Sequence, residues 1–288
     1  MEQIQTLPKL SPRKQNAHKG SCGKVFIIAG SRGMMGAAYL TTESVLRSGA
    51  GLVTLATPDS EQRVAATKLT CAMTYPLPST STGAVSFMAR SNIVDVTNEC
   101  QAVAIGPGMS QHHYTQEFIY DVIPRLRAPI VIDADALNAL CDRSDVLKKR
   151  SAPTIVTPHP GEFSRLVGKP INEIVENGKE IAMQFARDHN CVVVLKVAPA
   201  IVVSHDSYYE NTTGNPGMAT GGSGDVLTGV ITALLAQGFS AFAAAQLGVY
   251  LHGAAGDLCK EYIGEYGMIA SDILQFLPHA FQIHLSQE

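Results

Sequence analysis

The sequence has no excess of basic residues. Its 22 Lys and Arg against 25 Asp and Glu leave a net charge of −3, so the charge balance favours neither nucleic acid nor an anionic membrane as partner. Cysteine is sparse. The six residues, at positions 22, 71, 100, 141, 191 and 259, stand far apart, with no CxxC pair and no Cys/His ligand spacing. That argues against a disulfide framework and a zinc module, and leaves the ordinary reduced cysteines of a cytoplasmic protein. The opening residues, MEQIQTLPKLSPRKQ, lack the apolar run of a secretory signal. A membrane span is missing as well. Val226 to Gly256 contains no Asp, Glu, Lys or Arg, but Gln237-Gly238 divides it, and Thr228, Thr232, Ser240 and Gln246 interrupt the pieces. A spanning helix needs about 20 unbroken apolar residues, so two buried helices are expected instead. No repeat, low-complexity tract or linker divides the 288 residues, and residues 1–288 read as one domain large enough to bury a sizeable core.

What is present is an alternation of short apolar runs and helical patterns. Strands are expected at 24–29, 52–56, 101–105, 129–133, 154–157 and 192–196, with a small hairpin at 201–204 and 207–210. Helices fit at 36–48, 114–126, 135–141, 161–167, 173–189, 225–236, 241–259 and 270–283. Apolar runs without polar alternation, separated by helices, indicate an α/β fold: a mostly parallel central sheet with helices on both faces. Ligands of such sheets sit outside the carboxyl ends of the strands, and the unusual residues of this sequence fall there.

The strongest segment is Asn215–Asp225, NPGMATGGSGD, which runs into the helical VLTGVITALL. Its glycines and serine before a helix N-terminus expose several N–H groups in one concavity, which suits phosphate. The plain alternative is a turn with Asp225 as N-cap. Gly30–Ala38, GSRGMMGAA, follows the first strand with neither a GxGxxG fingerprint nor a Walker Lys. It reads equally as a tight turn or a ligand contact, and Asp59 stands where the ribose-binding acid of a dinucleotide fold would lie. Thr157–Glu162, TPHPGE, offers His159 and Glu162 side by side on a loop fixed by two prolines; a lone His is more often structural than catalytic. Asp133 and Asp135 end another strand, one as a candidate helix cap and the other as a candidate holder of metal-bound water. A carboxylate in the first turn of a helix is favoured in its ionised form, so Asp225 is expected to be charged and only weakly basic.

Together these segments resemble the ADP/ATP-dependent NAD(P)H-hydrate dehydratases, a branch of the ribokinase-like superfamily. The resemblance is carried in order by residues 18–38, 104–109, 131–138, 157–166, 192–196 and 211–231. It implies a ribokinase-like three-layer fold and a repair reaction on hydrated NADH or NADPH. ADP, or ATP in another branch, phosphorylates the added hydroxyl of the S-epimer, and phosphate then leaves to restore NAD(P)H, with Mg²⁺ assisting. It further implies roles. Asp225 is the catalytic aspartate, facing the substrate hydroxyl. Gly222, Ser223 and Gly224 form the anion hole. Ala37, Ala38, Gly108 and His159 contact the hydrated nucleotide. Lys196, Val197, Ala198, Pro199, Ala200 and Gly224 contact the AMP moiety. Glu162 organises Mg²⁺ through water.

One departure stands out. The family shows Lys-Gly-x-x-Thr after the VVVL strand, and this chain has Lys196-Val197-Ala198-Pro199-Ala200. Loss of the glycine and the threonine bears on nucleotide affinity and on the choice between ADP and ATP. Two other readings are a kinase of the same fold acting on a vitamin precursor or another alcohol, and a non-catalytic nucleotide-binding regulator. No fused epimerase is visible, so a separate NAD(P)HX epimerase is the expected functional partner. A homo-oligomer such as a tetramer is expected, with no nucleic acid and no membrane.

Overall fold

In β2 (Lys24–Ile28), Val25 and Ile27 face one side of the sheet and Phe26 and Ile28 the other, and all are buried. Apolar residues on both faces require cover on both sides, and the computed structural model, which describes residues 2–286, provides it. The remaining strands are β1 (Glu2–Gln3), β3 (Leu52–Pro58), β4 (Met73–Leu77), β5 (Ala102–Ile105), β6 (Ile130–Ile132), β7 (Thr154–Val156), β8 (Val192–Leu195), β9 (Ile201–Val203) and β10 (Ser207–Glu210). They form one ten-stranded sheet in the order β1-β10-β9-β8-β7-β6-β5-β2-β3-β4. From β8 to β4 every neighbouring pair is parallel, and the expected hairpin β9–β10 is antiparallel, with β8 also antiparallel to β9.

Among the described residues ten α-helices cover the two faces: α1 (Met35–Arg47), α2 (Gln62–Lys68), α3 (Arg90–Thr97), α4 (His113–Val122), α5 (Asp135–Ala139), α6 (Pro160–Val167), α7 (Ile171–His189), α8 (Ser223–Ala236), α9 (Ala241–Tyr262) and α10 (Ala270–Ser286). Val45 of α1, Val230 and Leu234 of α8, Leu247 of α9 and Leu277 of α10 share one core with Ile27 and Leu55. Phe118 of α4, Phe163 of α6 and Phe185 of α7 share the other with Phe26 and Ile132. The uncharged stretch from Val226 thus becomes α8 and α9, two helices buried in the protein. Helix α8 lies against β2, β5 and β6 with α1 and α9 on its flanks, and a helix covered on all sides is apolar all round. Among the described residues no helix is long and apolar enough to cross a membrane.

The opposite, amino-terminal edge of the sheet is held by Arg150, which is 6% exposed. Its guanidinium donates to the carbonyls of Ile123 (2.7 Å), Leu126 (2.6 Å) and Ala128 (2.8 Å) and to Thr154 Oγ1 (2.9 Å). Burial pulls its pKa down to about 10, so the charge persists at neutral pH.

Candidate active site

The polar loops after β2, β5, β6, β7 and β8 open on the same edge of the sheet, where α8 begins. The loops after β2 and β5 are laced together: Gly30 N donates to Pro107 O at 2.9 Å and Ser31 Oγ to Gly108 O at 2.8 Å. Gly108 has φ +62°, and a Cβ there would lie 2.7 Å from Met34 O and 3.0 Å from the Ala37 methyl. Only glycine admits this approach, so Gly108 and Ala37 are brought side by side. Ala38, expected beside them, is fully buried with its side chain in the core; of the two alanines only Ala37 is open at the surface. Asp59 proves structural, its Oδ1 accepting from Ser60 N (2.7 Å) and Ser79 Oγ (2.5 Å).

At the start of α8 the N-cap is Gly222, not Asp225. Gly222 has φ +93°, and a Cβ on it would meet Leu40 Cδ1 at 2.5 Å. Ser223, Gly224 and Asp225 form the first turn, whose N–H groups have no partner within the helix. Asp225 is half-buried, and no hydrogen bond from the described residues reaches its carboxylate. Its pKa is not depressed, as the helix terminus alone would suggest, but pushed up to about 7. Burial is the larger cause and the charge of Asp133 the next; Lys196 pulls the other way without cancelling them. Asp225 therefore exchanges its proton near neutrality, which corrects the expectation of a weakly basic carboxylate.

Asp133 is 1% exposed and sits between two donors. Lys196 Nζ approaches its Oδ1 at 2.8 Å, and Thr228 Oγ1 of α8 donates to its Oδ2 at 2.7 Å. The same ammonium stands 3.7 Å from Glu162 Oε2. Burial alone would lower the Lys196 pKa, but the Asp133 and Glu162 charges overturn this and hold it above its ordinary value. Neither Asp133 nor Asp135 caps a helix. The N-cap of α5 is Ala134, and Asp135 Oδ2 instead accepts from Ser110 N at 2.8 Å.

His159 and Glu162 form a reciprocal cap on α6. His159 Nδ1 accepts from Gly161 N (3.0 Å) and Glu162 N (3.3 Å), and Glu162 Oε2 accepts from His159 N (2.9 Å). The two residues meet again where His159 Nε2 lies 3.4 Å from Glu162 Oε1. Their structural role is thus on view, and half of the His159 side chain remains exposed above it. In the 196–200 loop, Val197 and Ala200 are half-buried and Ala198 and Pro199 exposed. Val197 is not among the residues of positive φ, so the loop accepts its valine without backbone strain. The valine also lines a cavity of 260 Å³ with Ile174, Gly178, Leu195 and Ile201.

One part of the site escaped sequence reading. Segment 211–218 is clamped to α9. Thr213 Oγ1 donates to Tyr250 O (2.8 Å), Gly214 N to Asp257 Oδ2 (2.8 Å) and Asn215 Nδ2 to Asp257 Oδ1 (3.0 Å). Gly253 and Gly256 let the segment lie on the helix, since a Cβ on either would come within 2.3 Å of Thr213 or Met218. Beside them His252, buried and with its pKa lowered to about 4 by burial, meets Ser223 Oγ at 3.4 Å. The signal was the HGAAGD spacing inside α9, which places His252, Gly253, Gly256 and Asp257 along one side of a helix.

The family model of the NAD(P)H-hydrate dehydratases matches residues 25–279. The chain belongs to that family. A bifunctional NAD(P)H-hydrate repair enzyme of Moorella thermoacetica is 44% identical over 275 residues, covering 95% of this chain and 52% of that relative. The chain thus spans about half the length of this relative and of the bifunctional repair enzyme of Thermofilum pendens. The ADP-dependent (S)-NAD(P)H-hydrate dehydratase of Bacillus subtilis is 31% identical over 278 residues, covering 96% of this chain and 94% of the relative. A crystal structure of the Bacillus subtilis ADP/ATP-dependent enzyme, co-crystallised with ATP/Mg²⁺, superposes with a TM-score of 0.83 at 31% identity, covering 96% and 94% of the two chains. Family membership and this likeness bear out the ribokinase-like architecture: a mostly parallel sheet with helices on both faces. Hydroxyethylthiazole kinase of Pyrococcus horikoshii shares the fold at 17% identity and a TM-score of 0.64.

Proposed function

We propose that this chain returns the S-epimer of hydrated NADH or NADPH to NAD(P)H, consuming ADP or ATP. The observation that carries the reading is the meeting of Asp225, the N–H groups at the start of α8 and the Lys196 ammonium at one strand-end site, in a chain of the dehydratase family. The substrate hydroxyl oxygen bonds to the terminal phosphorus of the donor, whose bond to AMP (or to ADP, from ATP) breaks. Asp225 accepts the hydroxyl proton; with a pKa of about 7 it is available as a base at neutral pH. The nicotinamide ring nitrogen then expels phosphate from the adjacent carbon, and loss of a proton from the next carbon restores the dihydronicotinamide. Positioning and charge neutralisation dominate such a transfer.

Gly222, Ser223 and Gly224 are proposed as the anion hole, Ala37, Gly108 and His159 as contacts of the hydrated nucleotide, and residues 196–200 as contacts of the donor. Among the described residues no three His, Cys, Asp or Glu side chains group to hold a metal by themselves. Mg²⁺ keeps several waters and takes one or two carboxylates alongside substrate phosphates. Glu162, whose Oε2 caps α6 and whose Oε1 lies 3.4 Å from His159 Nε2, is the proposed protein contribution. When bound, Mg²⁺ supplies charge neutralisation on the donor phosphates.

The single sheet supports reading residues 1–288 as one domain, and the scattered cysteines support a cytoplasmic setting. A NAD(P)HX epimerase is the proposed functional partner, supplying the S-epimer; a homo-oligomer is the proposed assembly. The deciding assay incubates the purified protein with hydrated NADH, Mg²⁺ and ADP or ATP. Dihydronicotinamide absorbance should return, with phosphate released in equal amount. A stable phosphorylated product of another alcohol would favour a kinase; nucleotide binding without turnover would favour a regulator.

A further inference from the structure

We infer that Lys196 binds the phosphoryl group being transferred, not the AMP moiety, and that Asp133 and Thr228 are positioning residues that hold its ammonium there. The inference rests on the proposed use of ADP or ATP at this site. Three observations carry it.

The first is where the ammonium lies. A Cβ built on Gly224 would stand 3.3 Å from Lys196 Nζ and 4.0 Å from Asp133 Oδ2. The charge is therefore at the first turn of α8, over a residue with no side chain, among the N–H groups that would take a phosphoryl oxygen. In the loop that follows, Ala198 and Pro199 are at the surface.

The second is how it is held. Lys196 leaves the end of β8 and reaches a carboxylate at the end of β6, and that carboxylate is fixed on its other oxygen by Thr228, one turn into α8 from Asp225. A long flexible side chain so anchored has lost its rotamer freedom before any ligand arrives, which is how preorganised sites gain affinity.

The third is what remains free. An ammonium has three donors. Asp133 takes one at 2.8 Å, and Glu162 at 3.7 Å lies beyond hydrogen-bond length. Donors remain for an incoming oxygen beside Gly224. A buried pair whose cation keeps spare donors facing an anion site is a phosphate-binding arrangement rather than a closed structural bridge.

The test is calorimetric titration of ADP and, separately, AMP into wild-type protein and variants, with thermal melts on the same samples. Lys196→Met should weaken ADP by about tenfold or more, the worth of a charge-assisted hydrogen bond, and leave AMP within about twofold. Lys196→Arg should recover part of the ADP loss. Thr228→Val, which keeps the charge but frees the anchor, should weaken ADP by a smaller factor in the same direction. Should Lys196→Met melt early because Asp133 is stranded, the double variant Lys196→Met/Asp133→Asn removes both charges and should show the same split. Equal losses for ADP and AMP, or no loss for either, would overturn the assignment. Wild-type binding of ADP without return of dihydronicotinamide absorbance would sink the proposed reaction and leave Lys196 standing; wild-type failure to bind ADP or ATP would sink both.

Discussion

Thr41 of α1 donates its hydroxyl to the backbone carbonyl of Asp225 in α8 at 3.1 Å. The helix that presents Ala37 is thereby tied to the helix that presents the carboxylate. The two are pressed together at Gly229, where a Cβ would lie 1.8 Å from Ser44 Oγ and 2.4 Å from Thr41 O. Gly229→Ala should force α1 and α8 apart. Overpacking of this kind costs about 1–3 kcal/mol, read as a lowered Tm, and activity should fall with it. Thr41→Val removes only the hydrogen bond and should cost about 1 kcal/mol. A Gly229→Ala protein that melts with wild type would contradict this packing.

Asp225→Asn should keep the fold and both ligand affinities while losing about 10²–10⁴ in kcat. In wild type, kcat/KM should rise with pH through about 7, as burial and the neighbouring carboxylates Asp133, Asp135 and Glu162 set the proton affinity against Lys196. The same shift has a stability consequence. The folded pKa lies above the unfolded carboxylate value of about 4, so the native state holds the proton more tightly. Stability therefore falls as pH rises from about 4 to about 7. Asp225→Asn should melt higher than wild type at pH 8, and the gain should disappear at low pH. Thermal melts across pH decide this; an asparagine variant no more stable at pH 8 than at pH 4, relative to wild type, would refute it.

The α6 cap separates structure from binding at His159 and Glu162. Loss of an N-cap costs about 0.5–2 kcal/mol, so His159→Ala should lower Tm as well as raise KM for hydrated NADH. Asn also caps helices, so His159→Asn should restore Tm while KM stays high. Gln is as good as Glu in a capping box, so Glu162→Gln should keep its Tm and show a lower kcat with an altered Mg²⁺ dependence. Steady-state kinetics beside melting curves would settle it. Matching kinetic defects in His159→Asn and Glu162→Gln would reduce the loop to a structural unit.

At the 196–200 loop, Val197→Gly with Ala200→Thr should lower the Kd for ADP. Val197 carries no backbone strain, so the gain must come from added polar contact and closer backbone approach. An unchanged or weaker Kd would mean that the valine and its 260 Å³ cavity serve the nucleotide another way.

The parallel strands from β2 to β8, except for β4, were legible because each is a short apolar run ending at a turn. Strand β4 was not: its sequence, MTYPL, contains a proline and lies at the sheet edge with Met73 and Pro76 exposed, so no apolar run marks it. Helices α2 and α3 are short and largely polar, and were also missed. At the site, motifs contiguous in sequence were readable. The Asp133–Lys196 contact spans 63 residues and the Asp133–Thr228 contact 95, and no local pattern predicts either. The charge state of Asp225 was misjudged because its position in the first turn is visible in sequence while its burial and its carboxylate neighbours are not.

Ser223, Asp225 and Thr228 ride on one helix, so the anion donors, the proposed base and the anchor of the Lys196 latch turn together. A rotation of α8 about its axis would misalign all three at once. The chemistry then has an all-or-none character inherited from folding. A partly opened molecule with α8 undocked should be inert rather than loosely active, so catalysis and amide-exchange protection along α8 should vanish at the same denaturant concentration.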